Sequence, residues 1–311
     1  MKESTKNAIK GEIILLIAAI LWGSCFIFQK KGMDYIGPFT LGAFRFLIGG
    51  IILIPVIMLI ARLDKKKPDN IERFSQKNLW IGSLLCGTAL FIAASLQQIG
   101  LIYTTAGKAA FLTAMEIVAV EMIGFLLVRK FRLNILLGIS LAVLGMYLLC
   151  IKNGVSMEYG DILELVGALF WGFQILLIDK YSRLADSIKL SCLQFMVAGV
   201  LSVISMFLFE KPRLTDIYAC VEPILYTAII EVAICYTLQI IGQKYVPPVI
   251  AAVTLSLESV FAAIFGAIIL NEILTGREIS GMVFMLLAVI VIQIPIKKIF
   301  RFFSKSAFFS E

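Results

Sequence analysis

Gln97-Gln98-Ile99-Gly100-Leu101-Ile102-Tyr103, followed by Ala109-Ala110 and then Glu116, returns 142 positions later as Gln239-Ile240-Ile241-Gly242-Gln243-Lys244-Tyr245, followed by Ala251-Ala252 and Glu258. Gln97/Gln239, Gly100/Gly242, Tyr103/Tyr245, Glu116/Glu258 and Gly124/Gly266 all keep one register. A carboxylate repeated in the middle of two apolar runs marks both an internal repeat and a candidate site. Toward the N-terminus the echo continues at a spacing of 149: Gly11, Leu16, Ala19, Trp22 and Gly23 return as Gly160, Leu165, Ala168, Trp171 and Gly172, and Phe46 and Gly50 as Phe195 and Gly199. The spacing shortens because the basic loop after the second apolar run is longer than its counterpart after the seventh.

Each repeat is built from runs that match the thickness of a bilayer. With 60% hydrophobic residues and a mean hydropathy of +0.96 over 311 residues, an ordinary soluble fold is excluded. A helix rises about 1.5 Å per residue and the hydrocarbon core is about 30 Å thick, so one crossing takes roughly 20 apolar residues. Ten runs qualify, near 11–31, 38–60, 78–101, 107–129, 133–151, 160–180, 187–209, 222–242, 247–270 and 277–297. Lipid leaves no partner for an unpaired backbone group, and the runs are too long and continuous for barrel strands, so they read as helices. Pro38, Pro223 and Pro247-Pro248 fall at helix starts, where a missing N–H costs little, and Pro55 predicts a bend in the second run.

Two units of five helices follow. Because five is odd, the second unit enters the membrane from the opposite face, giving an all-α integral membrane protein of two inverted five-helix repeats. The expected division is 1–152, 153–297 and a cytoplasmic tail, 298–311, that mixes Lys298, Arg301 and Lys305 with five phenylalanines and suits the surface of an anionic leaflet. With the N-terminus inside, the inner segments hold 20 Lys and Arg and the outer ones 6, with Arg45 and Lys108 inside spans. That asymmetry places both termini in the cytoplasm and the protein in the cytoplasmic membrane. The polar segment 61–78 reads as a solvated loop.

The net charge of +7 gathers in these short connections, so it is a topology signal rather than a nucleic-acid surface. Six cysteines lie mostly inside apolar runs without a CxxC pair, and there is no histidine, so neither a metal site nor a cofactor is expected. No phosphate-cradling GxxxxGK[ST] and no nucleophile elbow occurs, which speaks against ATP-driven transport and against an enzyme.

Chemistry falls to the polar residues within spans. Glu116, Glu121, Glu231 and Glu258 together would cost on the order of 10 kcal/mol without a cavity, a partner or a proton, at roughly 3 kcal/mol each. Glu116 and Glu258 lie roughly 13–17 Å deep in their helices, near the midplane. Burial favours the neutral form of a carboxyl, so this pair suits trading a proton for a substrate that carries positive charge, the other reading being hydrogen-bonded glue between helices. Gln97 and Gln239 read as substrate hydrogen-bonders or as interhelical glue. Trp22 and Trp171, each followed by glycine and away from the interfacial belt, wall a cavity or simply pack. Glu231 is a further intramembrane acid, and Arg45 either snorkels to the outer surface or pairs with an intramembrane carboxylate. Glu121 lies about 140° around the helix from Glu116 and does not share its face squarely.

Leu21-Trp22-Gly23-Ser24-Cys25-Phe26, Phe44-Arg45-Phe46, Leu255-Ser256-Leu257-Glu258-Ser259-Val260-Phe261-Ala262-Ala263 and Leu270-Asn271-Glu272, in this order and spacing, resemble the EamA-type branch of the drug/metabolite transporter superfamily across nearly the whole chain. Relatives commonly carry proline after the ninth-helix glutamate and within the fourth helix. Here Ser259 stands at the first place and no proline falls between Gly107 and Arg129, which predicts less kinking in both helices. The resemblance implies a central cavity walled by helices 1–4 and 6–9, with helices 5 and 10 peripheral. It implies a secondary transporter of a small metabolite or drug. The expectation is an alternating-access exporter, monomeric or homodimeric, with proton or substrate exchange. A facilitated uniporter or importer is the alternative, and a receptor that moves nothing is a more distant one.

Overall fold

A computed structural model describes residues 2–64, 75–104, 106–128, 133–151, 157–269 and 274–293. The core of the polar loop after the second span, Leu270-Asn271-Glu272 and the tail 298–311 lie outside the described residues.

The ten apolar runs are helices. They are α1 (Lys2–Met33), α2 (Pro38–Asp64), α3 (Gln76–Tyr103), α4 (Ala106–Thr113) with α5 (Glu116–Val128), α6 (Leu133–Cys150), α7 (Tyr159–Tyr181) and α8 (Ser187–Phe209). After the short α9 (Leu214–Ala219), the eighth span joins α10 (Val221–Tyr226), a π-helix (Thr227–Tyr236) and α11 (Thr237–Gln243). The ninth joins α12 (Pro248–Leu255) and α13 (Glu258–Ile269), and α14 (Gly276–Gln293) is the tenth. Nine of these spans are long and apolar enough, within the described residues, to cross a membrane. Helix α2 stays one helix through Pro55.

The two halves interlock by the same contacts taken crosswise. A Cβ on Gly23 of α1 would meet the Ala262 N at 2.7 Å and the Glu258 O at 2.9 Å, both on α13. On Gly172 of α7, the repeat partner of Gly23, a Cβ would meet the Val120 N at 3.4 Å and the Glu116 O at 3.5 Å, both on α5. Likewise Gly11 abuts the Gly242 carbonyl and Gly160 the Gly100 carbonyl. When residue i of one half meets j of the other and the equivalent of i meets the equivalent of j, a two-fold axis relates the halves. With an odd number of spans per half, that axis lies in the membrane plane, as an inverted repeat requires. The fifth and tenth spans, α6 and α14, pack against each other.

The fourth and ninth spans are broken, contrary to the straighter helices that the missing prolines predict. Ala114-Met115 and Ser256-Leu257 form a two-residue turn in each span. The Met115 N–H donates to the Leu112 carbonyl at 3.1 Å, and the Leu257 N–H to that of Thr254 at 3.3 Å, each tightened by one residue relative to an α-helix. Two residues past each turn, the Ile117 and Ser259 N–H groups repeat the shortened pattern. The break needs no proline because the backbone at this depth borders a cavity, the one setting in which lipid-embedded chains tolerate such interruptions.

A candidate binding cavity between the halves

Each break hands a glutamate to the first turn of the half-helix that follows. Glu116 opens α5 and Glu258 opens α13, both half-buried, each at the positive end of its half-helix's dipole. Both line one cavity together with Trp22, Gln97, Trp171, Glu231 and Gln239. Seven of the eight residues expected from the sequence therefore meet around a single space. Its interior holds about 50 Å³ measured at the centres of water-sized molecules, against roughly 10–15 Å³ for one water by that measure. Several waters fit.

Arg45, the eighth, stands one layer behind. Its Nη1 donates to Glu231 Oε1 at 2.8 Å, and the side chains of the pair are 1% and 2% exposed. Of the two readings open for Arg45, pairing with a buried carboxylate is the one realised. The guanidinium also lies 4.9 Å from the Phe46 ring centre. Glu231 sits midway along the π-helix, whose widened turn is a frequent companion of functional sites. With Glu231 engaged by Arg45, the cavity's other two carboxyls are Glu116 and Glu258, and among the described residues neither makes a salt bridge. Glu121 does not line the cavity.

The two repeat tryptophans meet through a third aromatic residue. Tyr236, at the end of the π-helix, lies edge-on to Trp22 with ring centres 4.9 Å apart and stacks with Trp171 at 6.1 Å. Both tryptophans thus wall the cavity and pack the core at once.

Phe26, Gln29, Thr113, Tyr236 and Leu255 also line it, and none is anticipated by the repeat. Periodicity offers a faint signal: Gln29 lies seven residues after Trp22 on one helical face, and Tyr236 lies three before Gln239. Gln29 Oε1 accepts from Gln98 Nε2 at 2.6 Å. Thr113 accepts from Gln97 Nε2 at 3.3 Å and donates to Glu164 Oε2 at 2.8 Å. Glu164 is 1% exposed and lies behind the wall rather than on it.

Set beside known proteins, the chain matches the model of the EamA-like transporter family over residues 9–151 and again over 158–294. An uncharacterized transporter of Archaeoglobus fulgidus is 33% identical over 289 residues, 92% of this chain and 86% of that protein. The uncharacterized transporter YoaV of Bacillus subtilis is 22% identical over 279 residues, 88% of this chain and 93% of its own length. A crystal structure with 15% sequence identity superimposes with a TM-score of 0.73 over 91% of this chain and 96% of that one, a likeness of fold.

Proposed function

The chain belongs to the EamA-like transporter family, and from that premise we propose that it is a secondary carrier working by alternating access. It is a multi-pass membrane transporter of the drug/metabolite type. Its solute, in this proposal, is a small metabolite or drug that carries positive charge, and it leaves the cell in exchange for protons or a second solute. Both termini then face the cytoplasm, as the excess of inner basic residues favours.

One observation carries this reading. Glu116 and Glu258, equivalent residues of the two halves, open the second half-helix of a broken span and border the same cavity, which has room for several waters. Carriers built from inverted repeats bind their solutes near the midplane, at discontinuous helices such as these. With Arg45 already engaged by Glu231, two carboxyls are left for a cationic solute or for protons, and one site can alternate between the two.

Comparing small molecules inside and outside cells that lack or overproduce the protein identifies the solute. Proteoliposomes with and without an imposed pH gradient then test its coupling. The carrier reading predicts accumulation of that solute driven by the gradient, and loss of that accumulation when both glutamates become glutamine. Flux equal with and without the gradient would instead establish a uniporter, and saturable binding without flux would establish a receptor.

A further inference from the structure

Glu164 is a buried acid that the cavity does not use directly. It lies five residues into α7, about 7.5 Å along the helix from Tyr159. Its Oε2 accepts the Thr113 hydroxyl at 2.8 Å, and its Oε1 has no hydrogen-bond partner among the described residues. The carboxyl fills the space that Gly100 leaves: a Cβ there would meet Oε1 at 2.7 Å. Thr113, in turn, borders the cavity three residues before Glu116. A continuous polar line thus runs from the cavity wall through one hydroxyl to a carboxyl with an oxygen to spare.

This line crosses from the second repeat, which holds Glu164, to the first, which holds Thr113, and it occurs at one of the two equivalent places only. In the repeat register Glu164 corresponds to Leu15 and Thr113 to Leu255, so the equivalent place between the halves holds two leucines. Its presence is therefore no demand of the fold. A buried acid costs several kcal/mol, and one retained without structural need is a functional candidate.

We propose that Glu164 is a proton-carrying residue that exchanges its proton with the cavity through Thr113. The proposal deepens the carrier reading and rests on it for the use to which the proton is put. In the step, the protonated carboxyl donates to Thr113 Oγ1, whose own hydrogen passes to a cavity water and thence to an anionic Glu116. One proton leaves Glu164, one arrives at Glu116, and the threonine is unchanged. Threonine oxygen has two lone pairs, so it can accept from Glu164 while it keeps the Gln97 amide hydrogen bond.

Other groups stand near this line. On α7 itself Asp161 lies one turn earlier and accepts the Thr104 hydroxyl at 2.7 Å. The helices packed against α7 bring Tyr103 at the end of α3, Glu116 and Glu121 on α5, and Lys108 on α4, whose side chain lies outside the described residues. Among these residues, Thr113 is the one with a hydrogen bond to Glu164.

Infrared spectra of the full chain in lipid vesicles, recorded across pH 5 to 10 without any solute, test the proposal. One carboxyl band that titrates in the natural protein should vanish in Glu164→Gln and return, shifted, in Glu164→Asp. After a pH jump, that band should respond at least tenfold more slowly in Thr113→Val than in the natural protein, with Thr113→Ser restoring most of the rate. Titrating bands unchanged in Glu164→Gln would overturn the proposal. Should that variant not fold, equal rates in Thr113→Val and Thr113→Ser would overturn it instead. A chain that keeps this band but moves no solute sinks the carrier reading alone, and one that moves solute without the band sinks this proposal alone.

Discussion

Arg45 and Glu231 show how one buried pair sets the charge of the whole cavity. Taking two charges out of water is costly, and their attraction repays the cost only in good geometry such as the 2.8 Å contact here. The repeat counterparts are Gln194 and Ala89, so the equivalent place between the halves closes without any such pair, and packing there does not depend on one. Arg45→Leu should therefore destabilise the protein by about 3–5 kcal/mol by stranding Glu231. The double variant Arg45→Leu, Glu231→Leu should recover most of that loss. Chemical or thermal unfolding in detergent measures both, and a double variant as unstable as the single one would contradict the charge argument. At Glu258 the expectation concerns function: Glu258→Gln cannot alternate between neutral and anionic forms. Gradient-driven accumulation should fall at least about tenfold, or more than 1.4 kcal/mol in apparent driving. The pH dependence of flux should flatten with it.

Among elements, a feature that occurs in both halves is the easiest to read from the sequence, while Glu231 and Arg45 stand out singly as charges within apolar spans. Glu116/Glu258, Gln97/Gln239 and Trp22/Trp171 stand out because each position is stated in both halves, and all six border the cavity. Thr113, Gln29 and Tyr236 face Leu255, Ile178 and Ala94 in the repeat register, so comparison of the halves passes over them. The same holds for Glu164, opposite Leu15. Two backbone features were also hidden. The breaks at Ala114-Met115 and Ser256-Leu257 use no glycine or proline, and the π-helix Thr227–Tyr236 carries an apolar pattern no different from an α-helix. Helix contacts, by contrast, are readable from glycine. At Gly23 an added methyl meets backbone atoms of α13 at 2.7–2.9 Å, whereas at Gly172 the nearest atom is the Ala119 Cβ at 3.0 Å. Gly23→Ala should cost about 1–3 kcal/mol through forced separation of α1 and α13, and Gly172→Ala visibly less. Unfolding of the two variants side by side checks the order, and equal costs would deny that the halves differ in closeness.

For the whole molecule, the inverted arrangement makes a demand that single helices do not: equivalent residues of the two halves must emerge on opposite faces of the membrane. Asp34, after α1, is the repeat partner of Arg183, after α7, and Arg62 near the end of α2 is the partner of Lys211 beyond α8. All four are exposed, so a cysteine at any of them is accessible without disturbing the core. On a background whose native cysteines are replaced, an impermeant maleimide added to intact cells should label Asp34→Cys and Lys211→Cys. Arg183→Cys and Arg62→Cys should react only after the membrane is opened. The experiment tests inversion and orientation separately. The reverse pattern, with 183 and 62 labelled and 34 and 211 protected, would leave the inversion intact and overturn the orientation drawn from the basic residues, 20 inner against 6 outer. Labelling of both members of a pair from one side would deny the inversion itself, and with it the two-fold exchange that brings Glu116 and Glu258 to one cavity.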